Sequence, residues 1–167
     1  MSLEIERKFL IACPDLARLR LRCTAVYDIE QTYLTAEENI TARVRRRVGE
    51  QEEFFYTEKE FLTARTCVER EKLISSREYE KLLARKDLGT ETIRKRRFCL
   101  PSGGLTFEID VYPFWEKTAV MEVELAAEDQ ALSLPEGITV LREVTEDRRM
   151  KNAELARHVP TEEELLS

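Results

Sequence analysis

The chain has very little histidine, and its cysteines are not grouped. His158 is the single histidine among the 167 residues, so a Ser-His-Asp triad or a histidine-rich metal site is largely excluded. None of the cysteines shows a Cys-x-x-Cys spacing, so a zinc site is not expected either. The four cysteines are Cys13, Cys23, Cys67 and Cys99.

The sequence also lacks signals of export and of membrane insertion. No signal peptide or long apolar run precedes the first predicted strand, and there is no low-complexity tract, long linker or repeat of solenoid length. We therefore expect a cytoplasmic protein with free thiols and no membrane partner, folded as a single domain over residues 1–167.

Neither sign of charge is in large excess. The chain has 27 Lys and Arg residues against 33 Asp and Glu residues, and its net charge is −6. Because there is no basic excess of the kind that binds nucleic acid, we expect no nucleic-acid partner. Because the chain has many charged residues but a small net charge, their function depends on how the acidic and basic residues are arranged in space.

The pattern of residues predicts a protein made mostly of strands. Alternating and β-branched or aromatic segments predict eight strands, over residues 3–11, 24–34, 40–48, 52–61, 66–74, 91–100, 105–112 and 119–126. Helices are predicted over 16–21, 75–87 with Ser76 as its cap, 128–132 and 146–158 with Thr145 as its cap; a ninth strand over 138–144 is left open. Short hairpin-like connections favour an α+β, mostly β fold: an eight-stranded antiparallel closed sheet with flanking helices.

The first strand places two carboxylates and an ammonium on one face. Glu4, Glu6 and Lys8 alternate with apolar residues, so they point the same way, with successive side chains about 6–7 Å apart. If this face meets water, the pattern is an ordinary charged surface. If it faces the lumen of a closed sheet, the pattern predicts a site for a metal ion and an anion.

Paired charged or polar residues recur on one face of the other strands. These are Gln31 and Tyr33, Arg43, Arg45 and Arg47, Thr57 and Lys59, Glu69 and Glu71, Lys95 and Arg97, Glu108 and Asp110, and Glu122 and Glu124. Each pair alone is also explained by a solvent-exposed strand face, but the whole set favours a charged lumen. A lumen carrying both signs needs a ligand that neutralises both, and a polyphosphate with a divalent metal ion is such a ligand.

These residues resemble the signature of the CYTH superfamily, the triphosphate tunnel metalloenzymes, in its compact bacterial branch. The likeness runs in order along nearly the whole chain. It is carried by Glu4-Ile5-Glu6-Arg7-Lys8-Phe9-Leu10, Gln31-Thr32-Tyr33-Leu34, Ala42-Arg43-Val44-Arg45, Thr57-Glu58-Lys59, Glu69-Arg70-Glu71, Lys95-Arg96-Arg97, Phe107-Glu108-Ile109-Asp110-Val111, Met121-Glu122-Val123-Glu124-Leu125 and the segment 143–152.

The resemblance implies a tunnel-shaped barrel with a C-terminal plug helix, and hydrolysis of a triphosphate with Mg²⁺ or Mn²⁺. The metal ligands that it implies are first Glu4, Glu6, Glu122 and Glu124, then Asp110, Glu108, Glu69 and Glu71. Phosphate would be held by Lys8, Arg43, Arg45, Lys59, Lys95 and Arg97. Tyr33 and Lys8 are the implied catalytic residues, Tyr33 as a helper in activating water.

The chain departs from the family pattern at two places. Cys67 and Val68 stand where the family often has an arginine, and Arg65 is expected to substitute for it. The basic pair of the plug helix appears here as Arg148 and Arg149.

We expect inorganic triphosphate as the substrate, because no aromatic platform for a base or ring can be assigned to the lumen. The alternatives left open are a class-four adenylate cyclase, a thiamine or nucleoside triphosphatase, and a non-catalytic polyphosphate- or nucleotide-binding module. A barrel with a charged surface and an apolar interior is a further alternative. A homodimer is also left open.

Overall fold

A computed structural model describes residues 2–167, whose strands form one continuous sheet. The strands are β1 (Ser2–Ala12), β2 (Ala25–Leu34), β3 (Ile40–Val48), β4 (Glu52–Phe61), β5 (Thr66–Ile74), β6 (Ile93–Ser102), β7 (Leu105–Val111), β8 (Thr118–Leu125) and β9 (Val140–Glu143). The helices are α1 (Leu16–Arg22), α2 (Ser76–Leu83), α3 (Asn152–Leu155) and α4 (Glu162–Leu166), and a 3-10 turn spans Arg148–Met150.

Eight of the strands close into an antiparallel barrel in the order β1-β5-β4-β3-β2-β6-β7-β8, with β8 returning to β1. The predicted eight-stranded closed barrel is therefore confirmed. Strand β1 pairs with β5 only through Ser2–Ile5, and farther along β9 pairs with Phe9, Leu10 and Ile11 instead. The ninth strand that the sequence left open is thus present, and it takes over from β5 at one end of β1.

Two of the three apolar clusters lie outside the barrel wall. One cluster packs the outer face of β1 and β6–β8 against α1, through residues such as Phe98, Phe107 and Leu19. Another packs β2–β5 against α2, around Val44 and Tyr79. Because the apolar faces of the strands are used on the outside, the opposite faces are left for the lumen. A barrel with an apolar interior is therefore excluded.

A third apolar cluster fixes the C-terminal segment to one end of the barrel. Leu155 and Leu165 pack with Tyr33, Ile93 and Trp115. The indole N–H of Trp115 also donates to the carbonyl of Pro160 at 2.9 Å. The C-terminal segment thus closes this end as expected, but it is not one helix.

The predicted helix over 146–158 is wrong, because the chain leaves the helical conformation at two points. Asp147 accepts a hydrogen bond from the backbone N–H of Arg149 and caps the 3-10 turn, and Lys151 then adopts an extended conformation with φ −70° and ψ 135°. Thr145 is not a cap, since its hydroxyl accepts from the backbone N–H of Lys8 at 3.0 Å and donates to Glu143 at 2.6 Å.

The other predicted helices are corrected at their ends or removed. Helix α2 stops at Leu83, and its cap is Ser75, which forms a capping box with Glu78. Residues 128–132 form no helix; there the side-chain oxygen of Gln130 accepts from the backbone N–H of Ala126 at 2.6 Å. None of the helices within residues 2–167 is long and apolar enough to cross a membrane.

A charged tunnel as the candidate active site

The barrel encloses a cavity of about 740 Å³. Most of the residues predicted for the site line it: Lys8, Tyr33, Arg43, Arg45, Lys59, Arg97, Glu4, Glu6, Glu69, Glu71, Glu108 and Glu122. The three predicted residues outside the lining are Lys95, Asp110 and Glu124. The strand alternation therefore brings most of the candidates together in one space.

The basic wall of the cavity is formed by β3. Arg43 and Arg45 are both buried, and the Nε atom of each has no hydrogen-bond partner within residues 2–167. Burial, together with the neighbouring cations Arg43 and Arg97, lowers the pKa of Arg45 to about 9. Buried guanidinium N–H groups without acceptors cost free energy unless an anion reaches them.

A buried amide links this wall to Tyr33. Gln31 lies directly across from Arg45 in the β2–β3 pairing, and Tyr33 lies across from Arg43. Arg45 donates from Nη2 to Gln31 Oε1 at 3.2 Å, and Gln31 Nε2 donates to the Tyr33 hydroxyl at 3.2 Å. The sequence placed Gln31 on the correct face but assigned it no role.

Lys95 and Asp110 lie behind the lining and support Arg97. Arg97 donates to the two oxygens of Asp110 at 2.7 and 2.8 Å and to Glu108 at 2.8 Å, while Lys95 Nζ lies 2.8 Å from Asp110. The side chains of Lys95 and Asp110 are fully buried. Burial alone would raise the pKa of Asp110, but Arg97 and Lys95 hold it well below its ordinary value.

The acidic residues of β1 and β5 lie near Lys59 of β4, the strand next to β3. Lys59 Nζ donates to Glu4 at 2.8 Å and lies 3.5 Å from Glu69. Glu71 accepts a hydrogen bond from the Thr57 hydroxyl at 2.8 Å. These carboxylates are therefore already partly compensated by protein donors.

Glu6 is the least compensated carboxylate in the cavity. Its side chain forms no hydrogen bond or ion pair with residues 2–167. Burial and the nearby Glu122 together raise its pKa to about 7, against the opposing charges of Lys8 and Lys59. Glu122 behaves differently: burial opposes ionisation, but Lys8, with Nζ at 3.5 Å, lowers the pKa of Glu122 to about 2.

Glu124 lies at the rim, where its residue is exposed. Burial raises the pKa of its carboxyl, and the charges of Glu4 and Glu108 add to the rise. Glu124 is therefore near these two acidic residues, although it does not line the cavity.

The C-terminal segment also contributes residues to the lining of the cavity. Lys8 Nζ donates to the carbonyl of Met150 at 3.0 Å, while Arg148 and Lys151 line the cavity. Lys151 Nζ lies 3.3 Å from the centroid of the Phe61 ring. The sequence named Arg148 and Arg149 but missed Lys151; Arg149 instead pairs with Asp147 at 2.7 Å, outside the lining.

Arg47 is a further lining residue that the sequence placed on this face without a role. Its guanidinium carbon lies 4.5 Å from the Tyr27 ring centroid and 4.8 Å from that of Phe55, and Nη2 donates to Glu53 at 2.8 Å. These contacts fix Arg47 between two aromatic faces.

The expected substitution by Arg65 does not occur. Arg65 Nη1 donates to the carbonyl of Glu128 at 2.6 Å, and Arg65 does not line the cavity. Cys67 is buried across from Glu4, so the family's arginine has no cationic replacement at this position.

The carboxylates of the cavity supply only part of the ligands that a divalent cation needs. No three Asp, Glu, Cys or His side chains within residues 2–167 converge closely enough to form a metal site by themselves. Mg²⁺ is commonly held by one or two carboxylates, with substrate phosphates and waters completing its shell. Glu6, the least compensated carboxylate of the cavity, lies beside Glu4 on β1. The two carboxylates fit a cation whose remaining ligands come from a bound phosphate chain.

The fold and the lining together define a class of protein: a closed antiparallel barrel whose lumen is a tunnel lined by both acidic and basic side chains. No protein-family model and no curated protein matches the chain. Several solved structures, however, are similar to the chain. The inorganic triphosphatase NE1496 is 32% identical, with a TM-score of 0.58 over 96% of this chain and 98% of NE1496.

Two more distant structures share the fold. PH1012 from Pyrococcus horikoshii OT3 is 19% identical, with a TM-score of 0.57 over 75% of this chain and 81% of its own. HpAC1 from Hippeastrum, which has a dominant triphosphatase activity, is 14% identical, with a TM-score of 0.56 over 74% and 80%. The chain belongs to the CYTH superfamily, the triphosphate tunnel metalloenzymes.

Proposed function

We propose that this protein hydrolyses inorganic triphosphate to phosphate and pyrophosphate, with Mg²⁺ or Mn²⁺ as its cofactor. The observation that carries the proposal is the pair of buried guanidinium groups, Arg43 and Arg45, whose Nε atoms have no acceptor and which line a closed tunnel. The likeness to the inorganic triphosphatase NE1496 supports the same substrate.

The basic residues bind and orient the phosphate chain. Arg43 and Arg45 offer planar N–H groups that match phosphate oxygens, and Arg97 is held in place by Asp110 and Glu108. Since phosphoryl transfer depends mostly on positioning and electrostatic stabilisation, fixed cations around the chain are the main contribution of the protein.

Glu4 and Glu6, with Glu122 beyond them, would hold the cation. When bound, a divalent ion supplies a Lewis acid that polarises a phosphoryl oxygen. In the reaction a water oxygen bonds to the terminal phosphorus, the bond from that phosphorus to the bridging oxygen breaks, and pyrophosphate leaves. Lys8, fixed by Met150 and Glu122, places an ammonium group beside the transferred phosphoryl group.

The aromatic residues of the lining favour an inorganic substrate. Tyr33 and Phe61 are the aromatic residues among those that line the cavity. Tyr33 is only 6% exposed and Phe61 carries the ammonium of Lys151 on its ring. Tyr33 is therefore too buried for a nucleobase or a thiamine ring to stack on it, and Lys151 already occupies one face of Phe61.

The proposal is tested by measuring phosphate release from triphosphate, ATP and thiamine triphosphate in the presence of Mg²⁺. We expect turnover of inorganic triphosphate to exceed that of both organic triphosphates, and the folded variants Glu6→Ala and Lys8→Ala to lose it. Tight binding of triphosphate by the wild-type protein without any turnover would instead make the domain a binding module.

Arg45 and Arg46 provide a matched pair of variants. Because Arg45 reaches the phosphate chain, Arg45→Gln is expected to raise KM for triphosphate about 10–100-fold, the equivalent of one charge-assisted hydrogen bond. Arg46 points outward and pairs with Glu52 at 2.6 Å, so Arg46→Gln should leave KM within about twofold of the wild type. Steady-state kinetics measure KM for both variants. Equal effects of the two substitutions on KM would contradict the role of Arg45 in binding the phosphate chain.

A further inference from the structure

Gln31 is a buried amide whose two ends are both engaged. Its side chain lies on β2 with no exposed surface, between Arg45 on one side and Tyr33 on the other. The proposed hydrolysis gives Gln31 no direct contact with substrate. Its two hydrogen bonds nevertheless fix the direction in which the Tyr33 hydroxyl can donate.

The direction follows from the chemistry of arginine. A guanidinium group has only donors, so the amide oxygen of Gln31 must face Arg45, and the amide NH₂ must therefore face Tyr33. The phenolic oxygen of Tyr33 accepts from this NH₂ group at 3.2 Å and cannot donate to it. Arg43, across the strand from Tyr33, also has no acceptor. The hydroxyl hydrogen of Tyr33 is left to point into the cavity.

The ring of Tyr33 is held so that this direction persists. It packs with Ile93 and Leu155 in the apolar cluster beneath the C-terminal segment, and only 6% of the residue is exposed. A donor fixed before the substrate arrives costs no reorganisation during the reaction.

We infer that Gln31 is a positioning residue that turns the Tyr33 hydroxyl into a hydrogen-bond donor to a phosphoryl oxygen of the bound chain. The inference rests on the proposed function. It gives Tyr33 a different task from the activation of water that the family resemblance implied: the hydroxyl stabilises charge that develops on a phosphoryl oxygen, and it takes no proton from water.

A double-mutant cycle on the full-length protein tests this role. Tyr33→Phe removes the donor, and we expect it to lower kcat for triphosphate about 100-fold, as loss of one fixed donor does in other enzymes. Gln31→Leu frees the hydroxyl to turn and is expected to lower kcat about tenfold. In the Tyr33→Phe background, Gln31→Leu should change kcat by no more than about twofold, because its effect on kcat passes through Tyr33.

The matched control is Thr32→Val. Thr32 is the residue between Gln31 and Tyr33, and its hydroxyl lies 2.9 Å from that of Thr92, away from the cavity lining. This variant should retain the wild-type kcat within about twofold if the strand itself is undisturbed. Gln31→Glu replaces Gln31→Leu in the cycle if Gln31→Leu does not fold. A carboxylate accepts hydrogen bonds from both Arg45 and Tyr33, so it turns the Tyr33 hydroxyl hydrogen away from the cavity. This variant should likewise affect kcat only when Tyr33 is present.

Equal losses of kcat from the Gln31 substitution in both backgrounds would overturn the inference, as would an unchanged kcat when Tyr33 is intact. Either result leaves the proposed function standing if the wild-type protein hydrolyses triphosphate. If the wild-type protein shows no turnover, the proposed function and the inference fail together.

Discussion

Removing divalent metal with excess EDTA is expected to lower triphosphate hydrolysis at least about 1000-fold. A bound cation contributes several kcal/mol of charge stabilisation in the transition state, and each 1.36 kcal/mol is a factor of ten in rate. The tunnel offers the cation two carboxylates: Glu4 and the half-buried Glu6, which has no hydrogen bond or ion pair among residues 2–167. Phosphate release measured before and after EDTA gives the ratio, and added Mg²⁺ or Mn²⁺ should restore the rate.

A thermal unfolding curve in EDTA is the control for this result. The carboxylates near Lys59 are compensated by protein donors, so the barrel should stay folded without metal. Full turnover in excess EDTA would show that the basic residues alone carry the reaction, and it would contradict the proposed cofactor.

Asp110→Asn is expected to destabilise the fold by about 3–5 kcal/mol, the usual effect of breaking a buried ion pair. The substitution removes the charge of the carboxylate that pairs with Lys95 and replaces one of the two oxygens that accept from Arg97 by an NH₂ group. At about 2–4 °C per kcal/mol for a chain of this size, Tm should fall by roughly 6–20 °C. Urea unfolding at neutral pH measures the change in free energy.

Asp28→Asn is the matched control for Asp110→Asn. Asp28 pairs with Arg96 at 2.9 Å, but both side chains are more than half exposed. An exposed ion pair contributes about 0–1 kcal/mol, so this variant should unfold close to the wild type. If the two variants lose equal stability, Asp110 does not support Arg97 in the way that the geometry indicates.

Much of the fold and of the site was predictable from the sequence because a strand has a fixed period of two. The alternation of Glu4, Glu6 and Lys8, repeated in seven later strands, gave both the closed barrel and the lining of the tunnel. The apolar residues between them marked the faces that pack outside the wall.

The position of each residue along the tunnel was not predictable. Alternation shows which face of the sheet a side chain points from, but it does not show how deep in the tunnel the side chain lies. Glu124 and Asp110 share the predicted pattern with Glu122, yet one lies at the rim and the other behind Arg97. Depth depends on strand register and tilt, which are set by pairing between distant segments. The role of Gln31 was hidden for the same reason, since it follows from the register that places Arg45 opposite.

The break in the C-terminal segment had no sequence signal. Arg148, Arg149, Met150 and Lys151 are all good helix formers, and the segment contains no glycine or proline there. Tertiary contacts interrupt the helix instead: the carbonyl of Met150 accepts from Lys8, and Lys151 lies on the Phe61 ring.

The most direct test of the account is a crystal structure of the protein with triphosphate and Mn²⁺, whose anomalous scattering locates the metal. We predict phosphate oxygens within hydrogen-bonding distance of Arg43 and Arg45, and Mn²⁺ bound between the phosphate chain and Glu4 or Glu6. Triphosphate bound only to the outer face of the barrel, or a tunnel that stays empty at saturating ligand, would contradict the claim that the charged lumen is the active site.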